Sequence, residues 1–367
     1  MKPKELLKRA KREGNPLIEG ETVTFVWKGK NPPYLLGDFN FWNVFDSGYA
    51  EFEGVSKKIW AYSTQLPTDA YIEYAYFTDL EDSDSRLLDP LNKQRKVSNG
   101  MKRYNNYFNM PEAQHTKLIR VKGGIPRGTL SKHTLKAPGQ INIGKKRSLW
   151  LYRPPTDAEV PLVVVFDGKQ YLKRAHITHI VDNLIAGGCI RPIALALIDN
   201  AGWSRIGEYH SSEAMLLTIM QGILPVAHKY LNLIPVDEQP GAYGVLGASM
   251  GGLMALYAGL RLPKLFGHVI TQSGTFMFDY PKADSHALID LLVKALPKHD
   301  LKIWQDVGRY EWLIDKNREM RARLESRGYD VTYREFNGGH NYIAWRNMLP
   351  EAMETLFGLE SKMTAQP

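Results

Sequence analysis

Hydrophobic and polar positions alternate along the first third of the chain and gather into unbroken apolar blocks in the rest. Residues 21–27 alternate with period two, as a half-buried strand does. Residues 33–40, 59–64 and 70–77 add three short aromatic-rich strands, and Leu88-Asp89-Pro90 marks a proline-fixed turn. Strands at this spacing predict a small all-β, immunoglobulin-like sandwich. Beyond a stretch punctuated by Pro111, Pro126 and Pro138, the pattern becomes strand then helix, repeated. Residues 148–152, 161–166, 192–198, 243–246, 268–273, 301–307 and 330–335 read as strands, several of them apolar throughout. Continuous apolar strands are buried on both faces, which predicts a mainly parallel sheet covered by helices. The expected organisation is a β-sandwich over 1–112 and an α/β domain over 113–367.

At 367 residues, 44% hydrophobic, the chain can bury two cores. It has no 18-residue apolar run, so no membrane span is expected. The basic N-terminus is not followed by an apolar segment, and Cys189 stands alone, which points to a reducing cytoplasm without disulfides or a zinc cluster. The net charge of +8 is unevenly spread. Residues 1–110 carry 16 Lys/Arg and 15 Asp/Glu, residues 111–150 carry 9 and 1, and residues 151–367 carry 22 and 23. This basic band reads as a solvated surface, and no nucleic-acid motif accompanies it. No cofactor is expected, and the sequence leaves the oligomeric state open.

The chemistry centres on Gly247-Ala248-Ser249-Met250-Gly251, between a predicted strand and a small-residue helix. Glycines allow the sharp turn that presents a serine hydroxyl above the sheet, beside the amides of a helix start. His340, in the glycine-rich loop 336–341 after the last strand, is the candidate base. Three carboxylates compete to orient it. Glu311 stands in the loop after strand 301–307, Asp306 within that strand and Asp315 in the helix that follows. A Ser249–His340 dyad without an acid is the remaining arrangement. The Met250 amide is the natural first oxyanion donor, and a second is expected from the 167–171 loop, from Gly168, Lys169 or Gln170. Arg205 and Gln170 are candidate substrate contacts, with Arg205 and Glu208 expected to pair structurally. His176 and His179 read as ordinary helix residues. Trp42 and Trp60 read as sandwich core in preference to a sugar-stacking platform.

Phe166-Asp167-Gly168, Arg205 with Glu208-Tyr209, Gly222-Ile223-Leu224-Pro225, Gly247 to Gly252, Gln272-Ser273-Gly274, Gly308-Arg309-Tyr310-Glu311 and Gly339-His340 occur in order. Together they resemble the enterochelin (ferric enterobactin) esterases, a group of α/β hydrolases. Gly37-Asp38-Phe39-Asn40-Phe41-Trp42 likewise resembles the signature of glycogen-binding-type sandwich modules. The resemblance implies hydrolysis of a small-molecule carboxylic ester through an acyl-enzyme, in that family the trilactone of a ferric siderophore, in the cytoplasm. It also implies a sandwich domain that helps to shape the substrate site. Two positions depart from the pattern: residues 272–277 lack the family's paired aromatics, and Asn341 stands where an Asp is usual. Feruloyl and acetyl sugar esterases share the catalytic fold. A glycan- or ligand-binding protein on an inactive hydrolase fold, and acyl transfer to an acceptor other than water, are the other readings.

Overall fold

The computed structural model describes residues 2–46, 48–94, 96–99, 103–136, 146–200, 202–277 and 288–359. Residues 137–145 of the basic band lie outside them. The chain forms two compact units. One holds Met1–His115, Gly308–Trp312 and Glu335–Ala344, and the other holds Thr116–Val307, Leu313–Arg334 and Trp345–Pro367.

Among the described residues the first unit has two antiparallel sheets. One orders Leu17–Glu19, Thr22–Lys28, Ile59–Gln65 and Glu53–Ser56, and the other orders Tyr34–Gly37, Tyr71–Phe77, Tyr104–Asn109 and Val97–Ser98. Phe25, Tyr74, Tyr76 and Phe108 fill the core, with rings meeting mostly edge to face. The predicted strand over 33–40 ends at Gly37, because Asp38–Asp46 winds into a 3₁₀ helix. Asn40 sets that switch by accepting from the Gly37 amide (2.9 Å) and donating to the Leu35 carbonyl (3.0 Å). The Asp89 turn is clamped from inside. Its Oδ2 accepts from Tyr74 Oη (2.7 Å) and Asn15 Nδ2 (2.6 Å). A helix the periodicity did not signal, Pro3–Glu13, precedes the sandwich.

The sheet of the second unit has eight strands among the described residues: β1 (Thr129–Lys136), β2 (Lys146–Arg153), β3 (Leu162–Val165), β4 (Ala194–Ile198), β5 (Tyr243–Ala248), β6 (Phe266–Gln272), β7 (Lys302–Gly308) and β8 (Asp330–Phe336). Their order is β1-β2-β4-β3-β5-β6-β7-β8. β1, β2 and β4 pair antiparallel, whereas the β4-β3, β3-β5, β5-β6 and β6-β7 pairings are parallel. Every residue of β3, β4 and β5 is buried, which is the physical content of the apolar runs. Helix Met250–Arg261 packs beside β5 and β6 with Gly259 facing Val269, where an added Cβ would come within 2.4 Å of a Val269 methyl. Parallel strands all release their following loops at one end, so the segments after β3, β5, β6 and β7 leave from the same edge. Among the described residues no helix is long and apolar enough to cross a membrane.

Candidate active site

Ser249 sits directly after β5 and caps helix Met250–Arg261 with φ 60° and ψ −125°. Residues with a Cβ rarely adopt this region, and its cost is offset by the packing around it. A Cβ on Gly247 would stand 2.1 Å from the Gly251 carbonyl oxygen, and one on Gly252 would stand 2.9 Å from Thr271 Oγ1. The elbow glycines therefore serve close approach. Backbone bonds then pin the serine. Its amide donates to the Gln272 carbonyl (2.8 Å), and its carbonyl accepts from the amides of Gly252 (2.9 Å), Leu253 (3.1 Å) and Thr275 (3.2 Å). Ser249 Oγ lies 3.3 Å from Thr275 Oγ1, a neighbour that the sequence did not single out.

Met250, the first residue of the helix, presents an amide that has no partner of its own within the first turn. After β3, Asp167 takes a left-handed conformation (φ 54°) and Gly168–Gln170 forms one helical turn. Gly168 is required there, because a Cβ would lie 2.5 Å from the Leu197 backbone. The Gln170 amide donates to the Asp167 carbonyl (2.8 Å), so that amide is committed to the turn. Gly168 and Lys169 supply the other two amides of that turn. The Gln170 side chain is half-buried at the end of the turn.

Arg205 and Glu208, expected to pair with each other, each hold another charged partner. Arg205 instead forks onto the buried Asp167 carboxylate, with Nε–Oδ1 at 2.8 Å and Nη2–Oδ2 at 2.5 Å, and donates to the Ala248 carbonyl (3.2 Å). Glu208 pairs with Arg147, both of them buried. One turn of helix puts Arg205 and Glu208 within reach, but a buried carboxylate pairs wherever a guanidinium is desolvated with it. Arg205 thus ties the loop after β3 to the last residue of β5. His176 also departs from expectation. It stands in a left-handed turn (φ 54°) ahead of helix Ile177–Ala186, whereas His179 lies within that helix.

The three carboxylates separate cleanly. Asp306 is buried in β7, where its Oδ2 accepts from Trp304 Nε1 (2.7 Å) and Gln272 Nε2 (2.9 Å). Asp315 is exposed in helix Ile314–Ser326, near Arg318 (3.4 Å). Glu311 is fully buried; its Oε1 accepts from the Gly308 amide (2.8 Å) and its Oε2 accepts from His340 Nδ1 (2.6 Å). A proton on Nδ1 leaves the lone pair of the ring on Nε2. The Trp312 ring lies 4.9 Å from the imidazole, a second neighbour missed from sequence. Asn341 Oδ1 accepts from the amides of Ile343 (3.1 Å) and Ala344 (2.9 Å), so it caps helix Tyr342–Phe357. Asn caps as well as Asp does, which makes that departure from the family pattern a neutral one. Ser249, Asp167 and Arg205 belong to the second unit, and Glu311 and His340 to the first.

A serine elbow, an eight-stranded mixed sheet of this order and a buried Glu–His pair define the fold class as an α/β hydrolase, preceded by an all-β sandwich. Within that class, the chain belongs to the family described as putative esterases, whose model matches residues 142–356. An iron(III) enterobactin esterase of Dickeya dadantii is 30% identical over 230 residues, covering 58% of this chain and 52% of that protein. An iron(III) salmochelin esterase of Escherichia coli is 24% identical over 373 residues, covering 92% and 87%. The crystal structure of a ferric enterobactin esterase from Salmonella typhimurium superposes with a TM-score of 0.76 at 21% identity, covering 91% of this chain and 93% of that one. The chain spans about half the length of the enterobactin esterases it matches.

Proposed function

We propose that this chain is a serine carboxylic-ester hydrolase with Ser249 as nucleophile, His340 as general base and Glu311 as the acid that orients the imidazole. The observation that carries the reading is the 2.6 Å bond from His340 Nδ1 to the buried Glu311. It sits in a member of an esterase family whose serine is held at a strained elbow. Nδ1 bound to a carboxylate directs Nε2 toward a substrate and stabilises the imidazolium formed in the reaction.

In the reaction, Ser249 Oγ forms a bond to the ester carbonyl carbon while its proton passes to His340 Nε2. The oxyanion is met by the Met250 amide and by that of Gly168 or Lys169. Collapse breaks the bond to the alkoxide, which leaves as an alcohol with the proton from His340. Water, deprotonated by the same nitrogen, then attacks the acyl-enzyme and frees the acid and Ser249.

The substrate class favoured is the ester linkage of a catecholate siderophore, with the ferric complex as cargo. The names of the enterobactin and salmochelin relatives support this choice. A cytoplasmic setting fits the single cysteine. Arg205 belongs to the elbow's support more than to substrate, since Asp167 holds its Nε and Nη2 and the Ala248 carbonyl accepts from Nη2. The test is a ranked screen of kcat/KM on ferric and iron-free trilactone siderophores, feruloyl and acetyl sugar esters, and p-nitrophenyl esters. A trilactone ranked first by tenfold or more supports the siderophore reading. A sugar ester ranked first replaces it and leaves the serine mechanism standing.

A further inference from the structure

Gly339, the residue before His340, has no room for a side chain, and the obstacle is a single group from far away in the sequence. A Cβ there would lie 2.1 Å from both Cγ and Oδ1 of Asp38. Asp38 is buried, in the Gly37-Asp38-Phe39-Asn40 turn of the sandwich, and is itself immobilised. Its Oδ1 accepts from Trp42 Nε1 (2.8 Å) and its Oδ2 accepts from the Glu73 amide (2.8 Å). The rest of the His340 loop is tied to the same unit. The Tyr71 amide donates to the Asn337 carbonyl (3.1 Å), Asn337 Nδ2 donates to Asp69 Oδ1 (2.7 Å), and the Tyr310 amide donates to the Gly338 carbonyl (3.2 Å). A Cβ on Gly308 would stand 2.3 Å from the Gly338 carbonyl oxygen, so the Glu311 and His340 loops also touch each other.

We propose that Asp38 is a positioning residue for His340: its carboxyl, packed against Gly339, fixes the seat of the loop from which the imidazole reaches Glu311. The backbone ties at residues 337 and 338 leave Gly339 as the last point at which the sandwich can set the ring before the helix begins. Burial, then the nearby Glu73 carboxylate, pushes the Asp38 carboxyl well above the usual carboxylate range. The inference rests on the reading of His340 as the base.

A double-mutant cycle on the full chain tests it, using Gly339→Ala, Asp38→Gly and the two combined, with kcat and KM read separately on a p-nitrophenyl ester. Gly339→Ala is expected to lower kcat about 100-fold, the scale of an ångström-sized misplacement, with KM within about threefold. Combining it with Asp38→Gly, which also removes the Asp38 Cβ that would stand 2.7 Å from the new methyl, is expected to restore kcat at least tenfold over Gly339→Ala. The low-field proton resonance of the His340–Glu311 bond gives a readout independent of turnover, lost in Gly339→Ala and regained in the double variant. Gly339→Ala within about threefold of wild type, or a double variant no better than Gly339→Ala, overturns the proposal. Should Gly339→Ala fail to fold, Asp38→Gly alone decides: a kcat near one tenth of wild type at constant KM supports positioning, and an unchanged kcat overturns it. A wild-type chain without esterase turnover refutes the function reading instead, and the resonance series still decides the role of Asp38.

Discussion

Ser249 holds a backbone conformation that a glycine would adopt freely, at φ 60°. For a residue with a Cβ this costs on the order of 1–3 kcal/mol, here balanced by the hydrogen bonds of its amide and carbonyl. Ser249→Gly is accordingly expected to fold more stably than wild type by about 1 kcal/mol in urea unfolding while losing ester turnover. A variant that is no more stable would mean that the elbow stores no strain. At this scale the sequence was legible where a local pattern carried the chemistry. Ser249 stood between glycines after a strand, and Glu311 stood in a loop just past one. It was not legible where the partner is distant. Arg205 pairs with Asp167 and Glu208 with Arg147, because such pairing depends on which charges are buried together. Asp38 and Gly339 meet from opposite ends of the chain with no local signature.

The strand elements were the most readable, because burial on both faces writes itself as an apolar run and burial on one face as alternation. The helices were less so. Pro3–Glu13 and the 3₁₀ segment after Gly37 depend on capping and on Asn40, which periodicity does not report. Within β6, His268 illustrates the cost of placing a titratable group in such a strand. Burial lowers its imidazole to about 4. Between pH 4 and its ordinary 6.5, the unfolded chain therefore binds a proton that the native one refuses. The neighbouring cations of Arg191 and Lys302 act in the same direction. Stability should be fully present above pH 6.5 and fall as pH drops toward 4, by about 3 kcal/mol at most. Urea unfolding of wild type and His268→Leu across that range checks this. The wild type should show the slope and the variant should lose most of it.

At the scale of the molecule, the residues of the proposed mechanism are divided between two compact units. The second unit carries Ser249 and the amides beside it, and the first carries the Glu311–His340 pair together with the sandwich. The β-sandwich shares its unit with His340. Composition alone could not show this, since Gly308–Trp312 and Glu335–Ala344 lie in the sequence amid the strands of the large sheet. The proposed hydrolysis requires Ser249 and His340 to act on one substrate, and removing the nucleophile is the most direct trial of that requirement. The decisive measurement is kcat of purified Ser249→Ala against wild type on a p-nitrophenyl ester, with matched folding by thermal melt. Attack by Ser249 predicts a loss of at least about 10⁴-fold. Turnover within tenfold of wild type would contradict it.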